Sequence, residues 1–301
     1  MLPLNNETMP EISKVAVDPA VMAEFTSEQD FMSLAVDLAI ETGQYVCVAA
    51  CTTGKEHSWS RDQAAIGGNM VRIYKLIDAM LDQHCKLRGE TSFMLARLVF
   101  ETIVNVQYLI ANFSSELIDS YVEYSLRHEK KLWDDVAKNI VARHGILLPI
   151  EERMQKSIER AFAAAGLSIE AIESKRKSPW GNRNLFEKAQ AVGLDALYLS
   201  AFGGTSHGIH GAWEDIYGNH LHWDGSRFTP NIEWSMPRPQ LLLALCPVIA
   251  ETVFMYFEFI ADDLAHDMYM FAEPLQNLLD RFASVSAAHE AYLAGKSWPN
   301  I

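Results

Sequence analysis

The chain is poor in the features that announce a chemistry. Lys and Arg number 25 against 39 Asp and Glu, a formal charge of −14, so it lacks the clustered cationic excess with which proteins neutralise a phosphate backbone. Only the neighbourhood of Lys175, Arg176, Lys177 and Arg183 is locally basic, and a polyanion would have to bind there or through a basic partner. Four cysteines, Cys47, Cys51, Cys85 and Cys246, show no CxxC spacing. Set in or beside apolar helical runs, they read as buried free thiols of a reducing cytoplasm. Cys47 and Cys51 share a helix face, where a disulfide would be strained. Gly67-Gly68 fits neither GxGxxG nor a P-loop and reads as a helix-packing notch. No GxSxG elbow precedes a helix, which sets aside a hydrolase triad.

Targeting signals are equally scarce. The opening MLPLNNETMPEISKV has no basic start followed by an apolar core, so no secretory signal is read, and residues 1–27 are expected to form a flexible leader. The strongest membrane candidate, Leu241 to Ala261, carries Pro247, Glu251 and Glu258. A charge at a bilayer centre costs about 2.5 kcal/mol or more, so this stretch is expected to be a buried core helix of a cytoplasmic protein with no membrane partner.

What the chain does have is helical periodicity. At 301 residues and 49% hydrophobic it can bury a substantial core. Apolar residues recur at helical spacing over Glu28–Cys51, Asp62–Cys85, Thr91–Phe113, Ser115–His144, Ile150–Ala165, Ile169–Ser174, Leu185–Val192, Ala196–Ile216, Arg238–Met270 and Glu273–Leu293. Gly89, Gly145, Gly166 and the Pro179/Gly181 pair punctuate them. Between Asn219 and Glu233, HLHW and RFTP flank Asp224-Gly225, a hairpin signal, and Pro230 bars an interior strand. The expected fold is all-α, a multi-helix bundle with a small β-hairpin inserted near 219–233. Residues 28–301 form one helical domain, with the C-terminal helices at 238–293.

Two polar stripes interrupt this apolar pattern. Arg97, Glu101 and Asn105 repeat every four residues with Tyr108 next on that face, while Leu98, Val99, Phe100, Ile103, Val104 and Val106 cover the others. An ion pair there would be largely desolvated. It reads either as a lock fixing helix register or as a ligand-binding or catalytic pair. In the second stretch Ser206 and His210 lie four apart with His207 between them, among Gly203, Gly204, Gly208 and Gly211. Each helical glycine forfeits about 0.8–1 kcal/mol relative to alanine, and close approach of another helix or a ligand would offset that. His210 could then be satisfied by a carboxylate such as Glu101, or act as acid or base. Arg72 and Lys75 could face solvent or the same polar centre. The HxxH of His207 and His210, with His220, His222, Glu214, Asp215 and Asp224 nearby, is the densest set of metal-ligand types in the chain, but neither HExxH nor paired ExxH occurs. The aromatic–histidine hairpin reads instead as a contact for a second copy of the chain.

At these residues the chain resembles the bacterial family known as domain of unknown function 5677. The resemblance spans roughly Trp59 to Ile216, on the helix with Arg72 and Lys75, on Ala96-Arg97-Leu98-Val99-Phe100-Glu101, and on Tyr198 through Ser206-His207-Gly208-Ile209-His210-Gly211. The last segment is similar in turn to HEPN helical domains of toxin and phage-defence ribonucleases, which carry Arg, four to six residues, then His. Related proteins place an Arg three residues before the Ser, where this chain has Gly203. A nuclease here would have to borrow Arg97 or Arg183.

These readings lead to a helical sensing or interaction protein, in a bacterial defence or stress system, that binds a small ligand or protein partner at the polar centre. The alternatives are a HEPN-like, metal-independent ribonuclease acting on RNA and a metal-dependent hydrolase. His210, Arg97, Glu101 and Ser206 are the expected catalytic residues of an enzyme; Asn105, Tyr108, Arg72, Tyr198 and His207 are the expected ligand contacts. No cofactor and no resident metal is expected.

Overall fold

A computed structural model describes residues 12–53, 58–173, 178–198, 211–261 and 269–297. Ser206, His207 and His210 lie outside the described residues, as do residues 1–11 of the leader and part of the expected Arg238–Met270 helix. The architecture is all-α with a two-stranded hairpin, as the periodicity implies. The helices are α1 Pro19–Met22, α2 Glu28–Cys51, α3 Arg61–Cys85, α4 Gly89–Ala111, α5 Ser115–Ala142, α6 Pro149–Ala165, α7 Leu185–Ala191, α8 Pro239–Ala261 and α9 Ala272–Ala294.

Local chemistry sets the helix ends. Ser27 and Ser60 form capping boxes with Asp30 and Gln63, Asn184 does so with Glu187, and Ser114 caps α5 through the Leu117 N–H. Gly166 closes α6 in the left-handed region at φ +69°. Gly89 has a different task from the expected one. The left-handed turn after α3 is taken by Leu87 at φ +56°, while Gly89 is the first residue of α4. Its N–H donates to the Ser235 carbonyl at 2.7 Å, and a Cβ there would stand 2.5 Å from that oxygen. Only a residue without a side chain permits the approach.

The core forms where α3 lies along α2 and α4, and α8 packs against α2, α4 and α9. Phe31, Phe100, Tyr256, Phe282, Ile66 and Ile73 are among its fully buried side chains, each contributing about 1.5–3 kcal/mol by leaving water. Helices α2, α4 and α8 are long and apolar enough to cross a membrane, but 50%, 56% and 61% of their most apolar windows are buried inside the protein. Glu251 and Glu258 sit on the exposed edge of α8. An outlying hairpin of α5 and α6 has its own small cluster around Leu126, Ile158 and Phe162.

Three polar links fix how the apolar helices meet. Arg281 of α9 donates from Nη1 and Nη2 to the two carboxylate oxygens of Glu41 of α2, both at 2.6 Å, with Glu41 1% exposed. The same carboxylate accepts the Val15 N–H at 2.8 Å and Arg281 donates to the Val15 carbonyl at 2.8 Å. Gln107 of α4 donates to Thr252 of α8 at 2.9 Å, and the Tyr256 hydroxyl donates to the Thr52 carbonyl at 2.8 Å.

Several expectations need correcting. Residues 12–27 are not a free leader: Val15 is clamped in the Glu41–Arg281 pair, Met22 is buried, and α1 packs on α9. Of the cysteines only Cys246 is buried; Cys51 and Cys85 are exposed because each is the last residue of its helix. Gly67 does form a notch, but the Trp59 ring fills it, and Gly68 faces open space. His220, the first residue of the HLHW run, belongs to a π-helical turn, Ile216–His220, and the strand begins only at Leu221. The hairpin register pairs Leu221 with Pro230 and Trp223 with Phe228.

Arg281→Met or Glu41→Gln alone should lower unfolding free energy by about 3–5 kcal/mol, because each strands a buried charge or its unmatched partner groups. Urea titration of each variant, and of the double variant Glu41→Leu/Arg281→Met, measures this; the double variant should be closer to wild type than either single one. A second expectation concerns His84, 3% exposed, whose Nδ1 lies 3.0 Å from the Met80 carbonyl while Nε2 is buried without a partner. Burial holds its pKa below the ordinary 6.5. The unfolded chain therefore binds the proton first, and stability is lost as pH falls below about 6.5. His84→Asn should flatten that slope in urea titrations between pH 7 and 5.

Candidate functional site

The middle of α4 carries the first polar stripe, and the structure gives it a roof. The segment from Trp180 to Tyr198, containing α7, folds back over α4. Its anchor is aromatic. Trp180, 6% exposed, meets the edges of Tyr108 on α4 and Tyr121 on α5, with ring centroids 5.6 and 5.2 Å apart. The Gly181 N–H donates to Ser120 Oγ at 2.9 Å, and Asn69 of α3 donates to the Tyr121 hydroxyl at 2.9 Å. At the other end Tyr198 packs on Phe186 at 5.0 Å and on Phe100 at 6.4 Å.

Arg97, Glu101 and Asn105 line this face as half-buried side chains, whereas Tyr108 is buried. The first three keep partial exposure, so this face of α4 is not fully dry. Arg72 is exposed and donates from Nε to Thr102 Oγ1 at 3.1 Å, so it reaches α4 beside the strip rather than on it. Arg183 lies over the Tyr108 ring at 5.9 Å from its centroid. Arg97, Glu101, Asn105 and Tyr108 thus share one side of α4, and Tyr198 packs on Phe100 at the end of the roof. Ser206, His207 and His210 lie outside the described residues.

The most telling residue of the site is Lys188, which sequence reasoning passed over. It sits on α7, 2% exposed, with Nζ 3.5 Å from the centroid of the Trp180 ring. A desolvated ammonium over an indole gains about 2 kcal/mol. Burial pushes its pKa from the ordinary 10.5 down to about 8, against the pull of the Glu101 and Glu187 carboxylates. An amine weakened to about 8 in the field of a carboxylate is a combination enriched at functional sites. The available signal was Trp180 in Lys-Ser-Pro-Trp-Gly-Asn, an aromatic just before a short helix, but periodicity treats that stretch only as a break.

Elsewhere, His220 Nε2 stands 3.5 Å from Asp215 and His222 is exposed. Among the described residues no three His, Cys, Asp or Glu side chains converge as metal ligands.

This geometry falls inside a recognisable family. The model of a family of unknown function, DUF5677, matches residues 63–227, from the first turn of α3 to the tip of the hairpin. The chain belongs to that family. The match contains the α4 strip, Trp180, Lys188 and the 199–210 segment; it starts slightly after Trp59, where the resemblance read from the motifs began, and runs past Ile216 into the hairpin. No curated protein and no solved structure matches the chain.

Because the folded pKa of Lys188 lies below the unfolded one, the unfolded chain holds more protons between them, and stability should rise with pH from about 8 to 10.5. Lys188→Met removes that term. The difference in urea stability between wild type and Lys188→Met should shrink or change sign in favour of wild type as pH rises from 8 to 10; a constant difference would contradict the buried ammonium.

Proposed function

We propose that this is a helical sensing or interaction protein whose half-buried α4 strip, under the Trp180–Tyr198 roof, binds a small polar ligand. One observation supports it above others: Lys188 is held nearly without solvent against Trp180 while Glu101, the carboxylate that favours its charge, stays half-exposed on the strip. A fully structural ion pair would gain from being closed. Here the acidic partner is reachable, with Arg97 one turn before it and Asn105 one turn after it offering further hydrogen bonds. A ligand that reaches Glu101 alters the field at Lys188, so binding and the lysine's proton are linked. The burial of half or more of each long apolar helix supports a cytoplasmic protein. The hairpin aromatics Trp223 and Phe228 are exposed, as is Trp213 of the helical turn before them; both tryptophans pack on Phe228, and the three suit a contact between two copies of the chain.

A thermal-shift screen of nucleotides, amino acids and sugar phosphates tests the reading. A hit should raise the wild-type midpoint by several degrees, and Glu101→Gln and Arg97→Ala should each abolish the shift, measured against each variant's own ligand-free midpoint. A shift that survives both substitutions, or a screen without a hit, removes the proposal.

A second reading, a metal-independent HEPN-like ribonuclease using His210, is favoured by the guanidinium of Arg183 at the edge of the strip, where it could serve in place of the cation missing at Gly203. It requires that the purified protein cleave RNA without divalent metal and that His210→Ala lose cleavage with an unchanged melting point.

A further inference from the structure

A cleft of about 780 Å³ lies away from the α4 strip, at the N-terminal end of the same helix. It falls in the range of volumes that hold a small organic ligand. One wall is the strap 235–238, held against α4 by the Gly89 N–H to Ser235 bond and by the Ser235 N–H, which donates to Glu90 Oε1 at 3.0 Å. Ser235 Oγ also donates to Asn219 Oδ1 at 2.8 Å, tying the strap to the π-helical turn opposite.

The charge in this cleft is one-sided. Glu28, Glu90, Glu214 and Asp215 line it against a single guanidinium, Arg238. Glu28 is engaged by His289 at 3.2 Å and Gln240 at 3.3 Å, and Asp215 by Asn219 at 2.9 Å. Glu90 differs. It is only 9% exposed, and its second oxygen, Oε2, is buried without a hydrogen-bond partner. A desolvated carboxylate oxygen lacking a donor costs free energy that a bound cation would offset. The other lining groups say what kind of cation. Met32, Phe93 and Met94 give the cleft an apolar floor, and the carboxylates do not gather as a metal-ligand set. Hard metal ions select oxygen cages, whereas a hydrocarbon body with one ammonium or guanidinium end matches thioether and aromatic surface beside a carboxylate.

We infer that this cleft is a binding site for an organic cation, an ammonium or guanidinium group on an apolar body, with Glu90 Oε2 accepting from the cationic head. The site is independent of the α4 strip and of any ligand bound there.

The test uses the full chain and n-hexylguanidinium as probe, with n-hexanol and calcium chloride as controls, followed by calorimetry and thermal shift. The guanidinium should bind and raise the melting midpoint; hexanol and calcium should not. Glu90→Gln keeps an oxygen for the Ser235 N–H and should weaken the probe about tenfold or more, the loss expected for one charge-assisted hydrogen bond. Met94→Lys should place an ammonium in the cleft, raise the midpoint of the free protein and abolish the probe's effect. Equal binding of hexanol, saturable binding of calcium in the probe's place, or an unchanged affinity in Glu90→Gln would overturn the inference. A response to the probe in Glu101→Gln equal to that of wild type separates this site from the strip.

Discussion

The arrangement depends on the Glu41–Arg281 pair and the backbone of Val15 that it grips. Apolar burial drives α2, α4, α8 and α9 together, but it is non-directional, and helices this uniformly apolar can slide or rotate against each other at little cost. A bidentate guanidinium–carboxylate pair allows one register. It fixes α9 against α2 and draws residues 12–22 over both. Gln107 to Thr252 does the same for α4 against α8, and Tyr256 to Thr52 for α8 against the end of α2. Such links add little net stability over well-packed hydrocarbon, yet leaving one partner unmatched is expensive. They act chiefly by making the wrong registers unfavourable.

Once α4 is fixed, aromatic packing brings the 180–198 segment onto its polar face. Trp180 is caught between Tyr108 and Tyr121, and Gly181, at φ +62°, turns the chain so that its N–H reaches Ser120. A Cβ at Gly181 would stand 3.1 Å from Leu117, so the turn is tight as well as left-handed. That turn directs α7 onto α4 and brings Lys188 over the indole. The site chemistry thus follows from a packing decision made by three aromatic rings. Lys188 is buried because the roof sits flat, and its amine is weakened because it is buried.

How much of this could be read beforehand depends on the range of the interaction. Helices came through well: α2 runs Glu28–Cys51 as its periodicity indicates, and α3, α5 and α6 differ at their ends by one or two residues. The hairpin was marked by Asp224-Gly225, and the pairing of Trp223 with Phe228 follows from it. The polar interior was legible only in kind. Arg97 and Glu101, one turn apart, can be read from spacing, whereas the bidentate Glu41–Arg281 pair joins residues 240 positions apart and leaves no local pattern. Periodicity shows which face a residue occupies and is silent on which distant face meets it. The cysteines illustrate the same limit, since Cys51 and Cys85 belong to apolar helices and are exposed only because those helices stop there. His220 slipped for a different reason: a π-helical turn inserts itself before the strand, and no residue type in Ile-Tyr-Gly-Asn-His demands one.

The family match divides the molecule in an instructive way. All the residues of the α4 strip and its roof come from 63–227, whereas the acidic cleft takes Glu90, Glu214 and Asp215 from the matched part and Glu28 and Arg238 from outside it. The strip therefore draws its residues from the matched helices alone, whereas the cleft is built jointly by the start of α4, α2 and the strap before α8. Between the two lies a smaller, mostly apolar pocket of about 360 Å³, which shares Phe93, Arg238 and Leu241 with the cleft and reaches Phe100 and Leu197 at the end of the roof. The shared residues are mostly hydrocarbon, so the apolar body of a cation held at Glu90 meets Phe93 and Leu241 before it meets the neighbouring pocket, and burying it there adds to what the charged head contributes.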